Sequence, residues 1–313
     1  MNGEYQHLPI MVTQVLDALN IRPDGVYADG TAGGGGHARA VGEKLSSAGT
    51  LICNDRDADA IAVCRRRLAD LPCTVRLIHG NFADLPANAG CRFDGVLLDL
   101  GVSSYQLDQA ERGFSYMHDA PLDMRMNRDD KLTARDVVNE WSEAELANIF
   151  FEYGEERYSR RIAAGIVRQR SVSPIETTGE LSEVIRANMP RHALNEKQHP
   201  AKRVFQAIRI AVNDELGQVR TALDQLVDNL NDGGRIAVLT FHSLEDRIVK
   251  TAFARYERPC TCPPEFPVCV CGKKPLGKVL VKGIAPSDEE IRENPRARST
   301  RLRVFERRFE AND

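Results

Sequence analysis

The amino-acid sequence predicts an α/β fold, a doubly wound parallel sheet interrupted by a block of helices. Three observations predict it. Strand and helix signals alternate through the first hundred residues, as β–α–β units require. The apolar runs are short and continuous, as in strands covered on both faces. The segment Asp29-Gly30-Thr31-Ala32-Gly33-Gly34-Gly35-Gly36-His37 stands where a parallel sheet receives its ligand, at the carboxyl end of the first strand.

The elements come in this order. Val26–Ala28 is a short apolar strand ending at Asp29-Gly30, and a helical stretch runs from about His37 to Leu45. Thr50–Cys53 reads as a second strand. Asp57–Leu68 has helical spacing at Ile61, Cys64, Arg65 and Leu68. Val75–Ile78 and Phe93–Leu98 are the third and fourth strands. The alternation then stops. From about Gln106 to Asp214 the segments read as helices, namely Ser142–Tyr153 with a serine cap, Arg157–Arg170, Thr178–Asn188 and Lys202–Glu215. Leu216–Leu230 is a helix returning to the sheet. Asp232-Gly233-Gly234 reads as a turn into a strand at Arg235–Phe241, followed by helical Leu244–Tyr256. Leu302–Phe309 alternates as a final antiparallel strand does. The expected organisation is a discontinuous sheet domain, 1–105 with 214–313, carrying an inserted helical substrate-recognition domain at 106–213.

Bulk composition narrows the class. With 42% hydrophobic and 28% charged residues in 313, the chain is neither disordered nor fibrous. No apolar run approaches the roughly 20 residues that span a bilayer. The first ten residues carry no basic segment followed by an apolar one, so the expectation is a cytoplasmic protein without a membrane partner. Eight cysteines in such a protein are expected to be reduced. The net charge of −3 is unevenly spread, with −8 over residues 1–150 and +6 over 247–313. A basic C-terminal section suits a phosphate-rich partner or is a solvated tail.

The glycine segment admits two ligands. Gly33-Gly34-Gly35-Gly36-His37-Ala38 satisfies the G-x-G-x-x-A spacing of dinucleotide sites. Asp55, at the end of the second strand, suits the ribose hydroxyls of either NAD or S-adenosylmethionine. Asp29 discriminates, because a carboxylate beside a pyrophosphate is repelled, whereas a sulfonium ligand with an ammonium group is attracted. S-adenosylmethionine is therefore the favoured cofactor, with NAD still open on spacing alone.

The fourth strand and the residues after it narrow the choice. Leu97-Leu98-Asp99-Leu100-Gly101-Val102-Ser103-Ser104-Tyr105-Gln106-Leu107-Asp108, Arg112-Gly113-Phe114-Ser115 and Pro121-Leu122-Asp123-Met124-Arg125-Met126 closely resemble the bacterial small-subunit (16S) ribosomal RNA cytosine-N(4)-methyltransferase family. So do Tyr153-Gly154-Glu155-Glu156-Arg157, Phe205-Gln206-Ala207-Ile208-Arg209, Phe241-His242-Ser243-Leu244-Glu245-Asp246-Arg247 and Asn294-Pro295-Arg296-Ala297-Arg298-Ser299. The resemblance runs nearly the full length in the expected order. It implies a class I, Rossmann-like S-adenosylmethionine-dependent methyltransferase with a helical insertion. The implied substrate is a decoding-region cytidine of 16S rRNA, methylated on its exocyclic amine, and the implied partner is that RNA or the small ribosomal subunit. Carried over by motif, the cofactor contacts are Gly35, Gly36, His37, Asp55, Phe82, Asp99 and Gln106.

Methylating a cytosine amine needs an acceptor that lets charge build on a poorly nucleophilic nitrogen. Asp99, at the tip of the fourth strand, is the expected catalytic carboxylate. DNA amino-methylating enzymes carry two prolines and an aromatic at this point. Asp99-Leu100-Gly101-Val102 has neither, which leaves Tyr105 as a candidate to stack on the base. The loop also lacks the cysteine nucleophile of carbon-5 methylation. His242 and Ser243 are second-rank positioning candidates. Arg125, Arg157, Arg160, Arg161, Arg168 and Arg170, with Arg296, Arg298, Arg301, Arg303, Arg307 and Arg308, are the cations available for phosphates. Cys260, Cys262, Cys269 and Cys271 form C-x-C-x6-C-x-C, and four thiolates could hold a zinc. The spacing is tighter than a usual zinc knuckle, so free thiols with no metal are the favoured reading and zinc the alternative.

Overall fold

The computed structural model describes residues 9–103, 106–107, 109–196 and 198–309. The chain divides into two compact units, 1–101 with 216–313, and 102–215.

The first unit is built on a seven-stranded sheet in the order β3-β2-β1-β4-β5-β7-β6. The strands are β1 Val26–Asp29, β2 Thr50–Asp55, β3 Thr74–His79, β4 Phe93–Asp99, β5 Leu230–Thr240, β6 Gly277–Ile284 and β7 Arg301–Arg307. β1 to β5 pair in parallel, while β7 runs antiparallel to both β5 and β6. This is the class I methyltransferase sheet that the sequence resemblance implies. Apolar side chains of the central strands divide between two cores in alternation. Val96, Leu98, Ile236 and Val238 belong to one, and Leu97, Ala237 and Leu239 to the other. Both faces of the sheet are therefore covered, which is why β4 reads as a continuous apolar run.

The helices Gly36–Gly42, Ala58–Arg67, Glu215–Asp228 and Ser243–Glu257 lie where the sequence places them. Asp57 caps the second of these by accepting the Asp59 N–H at 3.1 Å. Two features differ from expectation. Asp232-Gly233-Gly234 does not precede β5 but bulges out of it. Leu230 pairs with Phe93 and Arg235 with Gly95, so residues 231–234 stand against Asp94 alone, with Gly233 at φ +73°. The strand β6 has no counterpart in the sequence reading. It is a sheet edge whose residues are nowhere fully buried and whose apolar run is broken by lysines and glycines.

The second unit is helical. It contains Ala134–Glu140, Glu143–Glu152, Ser159–Arg170, Thr178–Ala187, Arg191–Leu194 and Lys202–Asn213. Thr133, Ser142 and Thr177 each close a capping box with the acid three residues on. The core gathers Met124, Leu146, Phe150, Ile162, Ile166, Leu181, Val204 and Ile208. Arg112 is 2% exposed and donates to the carbonyls of Arg125 and Met126, so it serves as a strut of this unit. Among the described residues of either unit, no helix is long and apolar enough to cross a membrane.

Candidate active site

Three adjacent parallel strands end on aspartate: β1 on Asp29, β2 on Asp55 and β4 on Asp99. The register sets them together. Asp29 pairs with Cys53 on one side and Leu97 on the other. Asp55 and Asp99 lie two residues farther along their strands, and side chains two apart share a face. The sheet therefore presents three carboxylates at one edge, on one side.

The glycine segment closes over this edge. Gly30 donates to the carbonyl of Leu97 at 2.9 Å. A Cβ there would meet Leu98 Cδ2 at 2.6 Å, which is why this position is glycine. Thr31 Oγ1 accepts the Asp99 N–H at 2.6 Å, and the Thr31 N–H donates to Asp29 Oδ1 at 3.1 Å. Gly35 stands at φ +77°, a conformation that other residues rarely adopt. Asn54, fully buried, fastens the whole arrangement. Its side-chain amide donates to the carbonyls of Gly30 and Gly80, both at 3.0 Å, and its backbone carbonyl accepts the Ala32 N–H at 3.0 Å. The sequence reading does not single out Asn54. The only signal for it is a polar side chain next to last in an otherwise apolar strand.

Burial raises all three carboxyl groups above their ordinary range. Asp29 is pushed up to about 7, with Asp55 adding repulsion. Asp55 is raised to about 6, although Gly33 and Asp57 donate backbone N–H groups to its two oxygens at 2.8 and 2.9 Å. Each of those oxygens retains a lone pair for a further donor. Asp99 reaches about 8, from desolvation first and then the charges of Asp29 and Glu245. It still shows 29% of its side-chain surface. His37, 5% exposed, is lowered to about 4 by burial and is neutral. Its Nε2 lies 3.6 Å from Asp99 Oδ2, too far for a hydrogen bond. Both ring nitrogens of His37 and Oδ1 of Asp99 are buried and hydrogen-bond to nothing among the described residues. Buried polar atoms of this kind are uncommon and call for a partner.

Other expected site residues fall in several places. Phe82 opens a short 3-10 turn capped by Asn81, and a Cβ on Gly30 would lie 3.4 Å from Phe82 Cβ, so the ring sits beside the glycine segment. Gly35 and Gly36 lie within that segment, with Pro9 so close to Gly36 that a Cβ would meet it at 3.0 Å. Gln106 belongs to the helical unit, is buried, and its Oε1 accepts the Ser103 N–H at 3.3 Å. Tyr105 lies outside the described residues. His242 caps the helix Ser243–Glu257, its side chain accepting the Glu245 N–H, while Glu245 accepts the N–H groups of Phe241 and His242. Several candidate arginines are already engaged. Arg125 forms a bidentate pair with Asp123, and Arg303, 9% exposed, does so with Asp246 at 2.7 and 2.9 Å. Arg160 and Arg161, by contrast, are exposed on the helix Ser159–Arg170.

The sequence model of the MraW methylase family matches residues 4–308. A protein of Heliobacterium modesticaldum called ribosomal RNA small subunit methyltransferase H is 52% identical over 309 residues, covering 97% of this chain and 99% of that one. Proteins of the same name from Symbiobacterium thermophilum and Lachnospira eligens are 53% and 49% identical. They cover 96% and 97% of this chain, and 96% and 98% of their own.

Proposed function

This chain belongs to the MraW methylase family, and on that premise we propose that it methylates the exocyclic N4 of a cytidine in the decoding region of 16S ribosomal RNA, with S-adenosylmethionine as methyl donor. The observation that carries the reading is the row of three carboxylates, Asp29 buried and Asp55 and Asp99 half-buried, beside a glycine segment. Such an edge repels a dinucleotide's diphosphate and attracts a ligand bearing a sulfonium and an ammonium.

The residues fit that cofactor. The glycine segment lets backbone approach it closely. Asp29 supplies the countercharge, Asp55 accepts from ribose hydroxyls, and Phe82 offers an aromatic face for adenine. His37 and Asp99 bring buried polar atoms that lack partners among the described residues. Gln106 is a further cofactor contact carried over from the family motif. When bound, S-adenosylmethionine supplies an electrophilic methyl group on sulfur.

Asp99 is the catalytic residue. A cytosine amine holds its lone pair in the ring, so it gains nucleophilicity only when its N–H groups are held by an acceptor. The Asp99 carboxylate accepts from that amine and takes the proton that nitrogen sheds on becoming secondary. Its burial makes it a stronger base than a solvated aspartate, provided it has first lost its own proton. The inserted helical unit and the basic C-terminal section hold the RNA. A structured RNA is recognised by shape and phosphate contacts as well as by single bases, which suits a folded unit.

The test is mass spectrometry of 16S rRNA from cells lacking this protein. One methyl group on one decoding-region cytidine should be missing and should return with the wild-type gene. Asp99→Ala should fail to restore it, with kcat lowered by about 10²–10⁴ as for loss of an acid–base group. An unchanged methylation pattern, or calorimetry showing NAD bound in preference to S-adenosylmethionine, would sink the reading.

A further inference from the structure

Between the helix Ser243–Glu257 and β6 runs a loop, 258–276, that has no regular secondary structure and no buried residue. Its ends are tied, with Leu276 donating to the carbonyl of Tyr256 at 2.8 Å. Phe266, Val268 and Val270 point outward at 50%, 70% and 71% exposure. Loops of this length are uncommon without structure of their own, and this one has no apolar core to hold it.

Its four cysteines nevertheless converge. Cys269 Sγ lies 3.4 Å from Cys260, 3.8 Å from Cys262 and 3.5 Å from Cys271, and Cys271 is 3.9 Å from Cys260. All four sulfurs fall within 4.8 Å of one another. These separations far exceed the roughly 2.05 Å of a disulfide. They match the edge of a tetrahedron whose corners stand 2.3 Å from a central zinc, about 3.8 Å. The Val270 N–H also points at Cys262 Sγ at 3.3 Å, a contact that stabilises a thiolate. Packing does not explain the convergence, since no residue of the loop is buried.

We propose that Cys260, Cys262, Cys269 and Cys271 bind one structural zinc ion through four thiolates. Four sulfur ligands leave no open position for water or substrate, so the ion holds the loop rather than doing chemistry. Each thiol gives up its proton on binding, and the loop becomes ordered where apolar burial cannot order it. The C-x-C spacing, tighter than the C-x-x-C knuckle, is accommodated because the two pairs approach from opposite ends of the loop. Spacing alone favours free thiols over zinc, and the convergence of the four sulfurs supports the zinc alternative.

Elemental analysis of the full-length chain, purified without chelator or histidine tag, should give about one zinc per chain. Cys269→Ser, removing the sulfur close to all three others, should lose it, while Cys91→Ser retains it. Trypsin should cut after Lys273 at least about tenfold faster once zinc is stripped, as a locally opened loop does. Cobalt added to the stripped native chain should give the thiolate-to-cobalt absorption of a tetrahedral site, a readout independent of whether Cys269→Ser folds. Zinc-free protein with four reagent-accessible thiols, iron in place of zinc, or zinc retained in Cys269→Ser would each overturn the proposal.

Discussion

Asp99 holds its proton at neutral pH in the free protein, and Asp29 is near half-protonated there. A cationic ligand stabilises the charged forms, so its binding must expel protons. Affinity for S-adenosylmethionine is therefore expected to rise as pH climbs from about 6 to about 8, the range set by the raised groups. Calorimetry in two buffers of different ionisation enthalpy measures the protons released, and Asp29→Asn should release fewer. The same shifts act on stability. A carboxyl raised on folding contributes stability at low pH that is lost as pH rises through its folded value. Between pH 6.5 and 8, the Tm of the ligand-free protein should fall because of these groups, and saturating cofactor should remove the slope. The lowered His37 acts only below 6.5, where the unfolded chain takes up the proton first. The acids were legible in the sequence because each ends an apolar run. Asn54 was not, because its work depends on carbonyls 24 and 26 residues away that only the fold brings near.

At the scale of elements, the glycine segment is fixed by backbone geometry more than by space. Gly35→Ala puts its Cβ 3.4 Å from Cys64 Sγ, which the neighbours tolerate, but forces alanine to φ +77°. The expected cost is about 1–2 kcal/mol, seen in differential scanning fluorimetry as a Tm drop of about 2–6 °C. Cofactor affinity should weaken with it, because the cradle and the strain occupy the same residues. An unchanged Tm would mean the loop relaxes out of this conformation. The central strands could be read from composition because both of their faces are buried. The edge strand β6 and the bulge at 231–234 could not. An edge strand carries the mixed polarity of a loop, and a Gly-Gly pair signals a turn whether or not the ladder resumes beyond it.

At the scale of the molecule, charge separates two kinds of arginine that a count cannot. Arg303 is locked against Asp246 and the carbonyl of Lys282. Arg303→Ala should cost about 2–3 kcal/mol of stability, as loss of charge-assisted hydrogen bonds does. Arg160→Glu/Arg161→Glu should leave Tm and cofactor affinity unchanged while raising KM for RNA about tenfold and flattening its salt dependence. Steady-state kinetics at two ionic strengths checks both halves, and an unaltered KM removes those residues from the RNA interface. The sequence showed where basic residues gather but not which of them the fold already uses.

The pairing of β4 with β5 joins residues 93–99 to residues 230–240. Translation makes the two strands far apart in time, with the whole helical segment 102–215 emerging between them. A nascent chain thus exposes an apolar β4 edge, bearing Asp99 at its tip, until the synthesis of β5 is complete. Pairings this distant in sequence raise contact order and slow folding, and unpaired strand edges invite aggregation meanwhile. Premature termination anywhere in the insertion should therefore yield insoluble fragments, not a small cofactor-binding domain.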